Sequence, residues 1–282
     1  MRARPLYTAI TLLQIVAISA GPDRCYQKCE WTGPQPDLIA TVGNKGDSVF
    51  TKVLGAEYPV PIQPMHAPDG FFSLPMAVAG WAIAAVAIAY SLRRTRREMQ
   101  ERSVPLMGVM AAFIFAAQML NFPVAGGTSG HLIGGALAAI LLGPWAGLLV
   151  ITSVVAVQGL VFQDGGLLVM GLNIVNMGVV SVFVGYAAYH GLRTVLKSRR
   201  WALFASSFGA AWLATFTASI VCALELGASG TSPYVVALPA MAGTHALIGI
   251  GEGLITAAAL AFIMATRRDL VRANVPSHEG KP

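Results

Sequence analysis

The chain has 282 residues, 55% of them hydrophobic and only 11% charged, whereas an ordinary soluble domain carries about 25% charged residues. A mean hydropathy of +0.65 leaves too little polar sequence to cover a water-facing surface, so a bilayer must solvate much of the fold. The net charge of +6 does not point to nucleic acid, because the basic residues fall in short blocks between apolar runs, the pattern of cytoplasmic loops.

Residues 1–64 form an N-terminal extension unlike the rest. Met1 to Arg4 is basic, residues 5–19 are mostly apolar and Ser19-Ala20-Gly21 is small, which gives residues 1–20 the form of a secretory signal or signal anchor. Residues 21–64 are polar, rich in Pro and Gly and without periodicity, as in a loose external segment or linker. A third reading is a misassigned start, with translation beginning at Met65. Cys25 and Cys29 make a lone CxxxC, which is weak as a metal or disulfide signal. Cys222 lies in an apolar run and reads as packing.

From residue 74 onward there are seven apolar segments, at roughly 74–92, 104–121, 132–143, 145–163, 166–190, 203–226 and 235–265. A spanning helix needs about 20 apolar residues. The third segment is short, and Gly143-Pro144 separates it from the fourth, so those two are either separate helices or one long kinked helix. The last is long enough to tilt strongly or to extend beyond the bilayer. The loops decide the count. Arg93, Arg94, Arg96, Arg97 and Arg102 follow segment one; Arg193, Lys197, Arg199 and Arg200 follow segment five; Arg267, Arg268 and Arg272 follow segment seven. The loops at 122–131, 163–166 and 227–234 hold no Lys or Arg. With seven spans every basic block falls on one side, which places residue 70 outside and the C-terminus in the cytoplasm. The expected fold is therefore an all-α, seven-helix membrane bundle over residues 65–265 with a polar cytoplasmic tail at 266–282.

Ionisable groups at membrane depth are expensive and therefore candidates for function. Three clusters qualify: Met65-His66-Ala67-Pro68-Asp69-Gly70, the run from Asn121 to His131 that includes Ser129, and the helical stretch bearing His245 and Glu252, with Gln163-Asp164, Asn173 and Asn176 near it in sequence or topology. His66 and His131 both fall at the outer face. A His at position two of a free chain can chelate one metal through the terminal amine, its own amide nitrogen and its imidazole. Three nitrogens in a plane favour a square-planar ion such as Ni(II) or Cu(II), and a second imidazole closes the square. With Met65 as the mature N-terminus, His66 and His131 would fit that scheme; two unrelated loop histidines is the plainer alternative.

The stretches MHAPDGFFSLP, NFPVAGGTSGHLIGGALAAILLGPWAG, VFQDGGLLVMGLNIVNMGV and HALIGIGEGLITA closely resemble the CbiM/NikM family, the substrate-binding membrane subunits of energy-coupling-factor cobalt and nickel transporters. The resemblance covers about residues 65–265. It implies a seven-helix bundle whose external N-terminus is tucked into the core beside the metal. It also implies ligation by the Met65 amine, the His66 amide nitrogen, the His66 imidazole and the His131 imidazole. The implied partners are a transmembrane coupling subunit and two ATPase subunits, with or without a small accessory membrane subunit. The implied location is the cytoplasmic membrane of a prokaryote, and the implied substrate is Co(II) or Ni(II), with no resident cofactor. Family members begin at the Met of the Met-His pair, whereas here 64 residues precede it; a peptide bond on Met65 would remove the amine ligand.

Around that site, Asn121, Ser129, Asn173 and Asn176 are candidates to hydrogen-bond the ligating imidazoles and fix their orientation. His245 and Glu252, seven apart, share a helix face and would support the site, line an ion path, or simply tie helices together. No catalytic residue is expected. The chain has no GxxxxGK[ST] phosphate loop, HExxH or GxSxG, so ATP hydrolysis would fall to partners. Two other functions compete: a vitamin-binding subunit of the same transporter type, and an intramembrane metalloenzyme.

Overall fold

The hydrocarbon core offers no water to backbone N–H and C=O groups, so each must pair within the chain. The computed structural model describes residues 66–98, 103–119, 122–123, 129–196 and 201–266. They are helical throughout apart from connecting turns and a two-residue antiparallel pairing of Phe122–Pro123 with Ser129–Gly130. The expectations for residues 1–64, Met65, Asn121 and the tail beyond residue 266 lie outside the described residues.

In chain order the helices are α1 (Leu74–Glu98), α2 (Ser103–Gln118), α3 (Gly135–Leu142), α4 (Pro144–Val161), α5 (Met170–Leu196), α6 (Ala202–Ala228) and α7 (Tyr234–Thr266). Among the described residues, α1, α4, α5, α6 and α7 are long and apolar enough to cross a membrane. The other two are shorter, at 16 residues for α2 and 8 for α3. The third and fourth apolar segments of the sequence are separate helices. Gly143, at φ 80°, breaks the chain between them, and Pro144 opens α4 at the first helical position, where its missing N–H costs nothing.

The short α3 is the centre of the bundle. Every residue from Gly135 to Leu141 is buried, and α3 packs against α4, α5 and α6. A helix enclosed by protein need not match the bilayer thickness, because its neighbours rather than lipid meet its ends. The outer helices show the reverse pattern. On α1, Ala77 and Ala84 face inward while Val78 and Val86 stand exposed, and on α7 Leu254 and Phe262 do the same. Large apolar side chains turned outward along whole helices suit lipid as the surrounding solvent and would aggregate in water.

Small residues set the closest helix approaches. A Cβ on Gly171 would lie 2.5 Å from the Trp81 backbone nitrogen, so α1 and the start of α5 touch backbone to backbone, and the Trp81 indole N–H donates to Leu168 O at 3.0 Å. α5 winds as a π-helix over Ile174–Val180, a local form often found beside functional sites. α7 packs mainly along α6, where the Trp212 indole N–H donates to Ala246 O at 3.0 Å. At 33 residues with Pro239 inside it, α7 runs about 50 Å at 1.5 Å per residue, well beyond the ~30 Å hydrocarbon core.

The α1–α5 contact yields a direct prediction. Gly171→Val pushes these two backbones apart and costs roughly 1–3 kcal/mol by overpacking. It is expected to lower the Tm of the detergent-solubilised protein in a thermal-unfolding scan.

Candidate metal centre

One end of the bundle gathers the segment before α1, the loop between α4 and α5, the start of α3 and the α6–α7 turn. His66 to Phe71 is fastened there by a series of hydrogen bonds. Ala67 O accepts from Gly166 N at 3.0 Å and from Asn173 Nδ2 at 3.2 Å. Asp69 Oδ1 accepts from Leu168 N at 2.9 Å and from Val169 N at 3.3 Å. The Thr231 hydroxyl donates to Phe71 O at 2.6 Å.

These bonds carry the His66 ring into the interior, where the residue is 4% exposed. Its backbone N–H donates to Asp164 Oδ1 at 3.3 Å. Its Nδ1 lies 3.2 Å from Asp164 Oδ2, off the line of a hydrogen bond, so neither ring nitrogen of His66 has a hydrogen-bond partner. The loop is shaped to bring this about. A Cβ on Gly165, at φ +98°, would lie 2.7 Å from His66 Cβ, so both the backbone conformation and the space require glycine.

His131 arrives from the other side. It follows the Ser129–Gly130 strand and sits four residues before α3. Its ring centroid is 5.4 Å from that of His66, with the planes 53° apart. His131 Nδ1 lies 2.9 Å from Leu132 O. A carbonyl only accepts, so Nδ1 carries the proton in this bond and the lone pair is on Nε2.

Glu252 of α7 holds the His131 segment. Its carboxylate accepts from Ile133 N and Gly134 N at 2.7 Å each, and it is 2% exposed. These amides precede α3, where helix N-termini leave donors unpaired and favour a negative charge. Gly134 takes a left-handed φ of 78° to present its N–H. From below, Gln118 Nε2 donates to Ile133 O at 2.8 Å.

A cavity of about 600 Å³ opens beside the two imidazoles and is also lined by Asn173, Asn176, Cys222 and His245. Of the residues expected around the site, Asn173 reaches the His66 segment through Ala67 O. Asn176 instead donates to Glu225 Oε2 at 2.6 Å. His245 faces the cavity, with Nδ1 2.9 Å from Met241 O of its own helix. Ser129 enters through its backbone pairing with Pro123. Glu252 does not pair with His245 but joins α7 to the start of α3.

Two residues carry more than their sequence context announced. Asp164, recognised only as a polar neighbour, faces both the backbone nitrogen and Nδ1 of His66. Its signal was an acid followed by two glycines between apolar runs. Glu225, half-buried beside Asn176, had no signal beyond being a carboxylate within a span.

Leaving a buried donor or acceptor unmade costs about 1–3 kcal/mol, and neither ring nitrogen of His66 makes a hydrogen bond, Nδ1 being turned toward Asp164. The two rings lie side by side at the edge of the cavity, their centroids 5.4 Å apart. Among the described residues no three His, Cys, Asp or Glu side chains close on one point as a metal cluster.

The fold and site define a helical, multi-pass membrane protein with two neighbouring imidazoles, one buried and one half-buried, at one end of its bundle. Residues 66–270 match the family described as "CbiM: Cobalt uptake substrate-specific transmembrane region". A Haloquadratum walsbyi chain named for metal transport is 43% identical over 209 residues, covering 73% of this chain and 93% of that one. The cobalt transport protein CbiM of Sorangium cellulosum is 35% identical, covering 73% and 94%. A crystal structure of a truncated transition metal transporter superposes with a TM-score of 0.65 at 29% identity, covering 71% of this chain and 99% of that one. The chain belongs to the CbiM family and is a membrane protein of cobalt and nickel transport.

Glu252→Ala strips the acceptor from two buried amides, at about 1–3 kcal/mol for each group left unmade. The variant is expected to unfold several degrees below the wild type, whereas Glu252→Gln, which keeps one acceptor oxygen, loses less. Thermal unfolding of the two metal-free variants side by side checks the order.

Proposed function

We propose that this chain is the substrate-capture subunit of an energy-coupling-factor importer that brings Co(II) or Ni(II) across the cytoplasmic membrane of a prokaryote. The observation that carries the reading is the meeting of a buried His66 and a half-buried His131, ring to ring, 65 positions apart in a chain of the cobalt-uptake family. The proposed donors are the His66 amide nitrogen, the His66 imidazole and the His131 imidazole, with the Met65 amine as the fourth when Met65 is the mature N-terminus. All seven helices then cross the membrane, the His66 end facing outward and the C-terminus facing the cytoplasm, as the basic blocks require. The short α3 does so only because the bundle encloses it.

The donor set suits an ion that accepts planar nitrogen coordination, and affinity alone does not reject copper, since the divalent series peaks there. Energy comes from two partner ATPase subunits through a transmembrane coupling subunit. The names of the relatives support an ion over a vitamin: the Rhodobacter capsulatus relative, 36% identical over 224 residues, is a fused nickel transport protein.

The test is metal binding by the purified full-length chain, with intact-mass analysis of its N-terminus. Wild-type protein is expected to bind about one Ni(II) or Co(II), and His66→Ala and His131→Ala each to weaken binding at least ~100-fold, a loss of about 2.7 kcal/mol. Binding that survives both substitutions would sink the assignment.

A further inference from the structure

Building on the transport reading above, we propose that the cavity beside the imidazoles is a second binding site, one that takes the divalent ion while it still carries its water shell. The polar groups that line this cavity send their protons elsewhere. Ser219 Oγ donates to Phe216 O at 2.7 Å, and Thr244 Oγ1 to Ala240 O at 2.9 Å. His245 Nδ1 lies 2.9 Å from Met241 O. A carbonyl only accepts, so in the neutral ring the proton is on Nδ1 and Nε2 keeps its lone pair. All three residues border the cavity, and each has turned its hydrogen into the backbone of its own helix.

Asn173 and Asn176 repeat the pattern on α5. The amide nitrogen of Asn173 donates to Ala67 O at 3.2 Å, and that of Asn176 to Glu225 Oε2 at 2.6 Å. With the nitrogens so committed, the amide oxygens are the ends left over. Asn176 Oδ1 makes no hydrogen bond, and the carboxylate behind the amide polarises it toward that oxygen. There are two exceptions. Thr215 Oγ1, also without a partner, can turn either way, and the Cys222 thiol is a weak donor. Among the described residues, no Lys or Arg borders the space.

The lining is rich in lone pairs and poor in hydrogens. Such a wall repels an anion and suits an occupant that is positive and presents hydrogens on all sides. A hydrated divalent ion is that kind of species. Its waters are polarised donors, and six of them at about 30 Å³ each fill roughly 180 Å³, well inside the cavity of about 600 Å³. A bare ion suits the same wall poorly. Among the described residues no Asp or Glu borders it, and a stripped charge is costly to bury without one. His66 and His131 border the same cavity, so an ion held here by its waters adjoins the imidazoles at which it would lose them.

The experiment uses two exchange-inert cobalt(III) complexes of similar shape. Hexaamminecobalt(III) is positive and covered in N–H donors, whereas hexacyanocobaltate(III) is negative and only accepts. Neither gives up a ligand to an imidazole. Binding of each is measured on the full-length, detergent-solubilised wild type, His245→Phe and His66→Ala. The wild type is expected to bind the ammine saturably and not the cyanide complex, and the bound ammine to slow Ni(II) loading. His245→Phe keeps a ring but has no lone pair; it is expected to weaken ammine binding at least ~10-fold, the worth of one hydrogen bond to a charged group. His66→Ala is expected to keep most of it. The site is ruled out if the wild type binds both complexes alike, if the ammine leaves Ni(II) loading unchanged, or if a folded His245→Phe binds it as tightly as wild type. Ammine binding that vanishes in His66→Ala also rules it out, by making the imidazoles the one cation site. The wild-type comparisons stand even where His245→Phe does not fold. Wild type that loads neither Ni(II) nor Co(II) removes the transport reading and the ion as occupant with it; Ni(II) loading without ammine binding removes the cavity site alone.

Discussion

The two hydrogen bonds from Ile133 and Gly134 to the carboxylate of Glu252 hold the centre of this molecule together. A helix of eight residues buried in a membrane bundle has no water to satisfy its leading amides, and orphan donors there are costly. One carboxylate from the last helix answers two amides just ahead of α3, and its charge complements the helix N-terminus. With that end fixed, α3 can be short and central, and α4, α5 and α6 pack around it. His131, two residues before the clamped amides, inherits its position from the same bonds. The helix that closes the chain thus sets the place of a candidate ligand near its middle.

The other half of the centre is built by a different device. The segment from His66 to Phe71 has no helical hydrogen bonds of its own, so its backbone groups are met by the α4–α5 loop, by Asn173 and by Thr231. Glycine makes this possible, since a side chain at Gly165 would occupy the space of His66 Cβ. The backbone of the segment is thereby met, whereas the imidazole nitrogens of His66 make no hydrogen bond, like Asn176 Oδ1 and Thr215 Oγ1 of the cavity lining. The cavity beside the imidazoles extends toward His245 and Cys222, so the ion would sit at the margin of a larger space between α6, α7 and the rest of the bundle.

Much of this was legible in the sequence, for physical reasons. Burial in lipid demands long apolar runs and puts basic residues between them, so the helical order and the break at Gly143-Pro144 could be read directly. The candidates His66 and His131 stood out because a histidine beside a membrane span is costly enough to ask for a purpose. The partners of the remaining polar residues were less visible. The seven-residue spacing of His245 and Glu252 puts them on one face of α7, yet spacing within a helix does not say which neighbour that face meets. Glu252 meets backbone amides, which carry no sequence signature at all. Asn176, within the π-helical turn of α5, meets Glu225 rather than an imidazole.

The sequence by itself determined a helical membrane protein of the cobalt and nickel transport family, because hydropathy, loop charge and motif order are properties of the chain read in one dimension. Only the tertiary structure decided that the rings of His66 and His131 lie 5.4 Å apart, that Asp164 faces the backbone nitrogen and Nδ1 of His66, and that Glu252 is a clamp on the start of α3. Those facts depend on contacts between residues some 65 to 120 positions apart. Such contacts are set by the packing of small residues and by the requirement that each buried polar group find a partner, and neither condition is written at any single position of the chain.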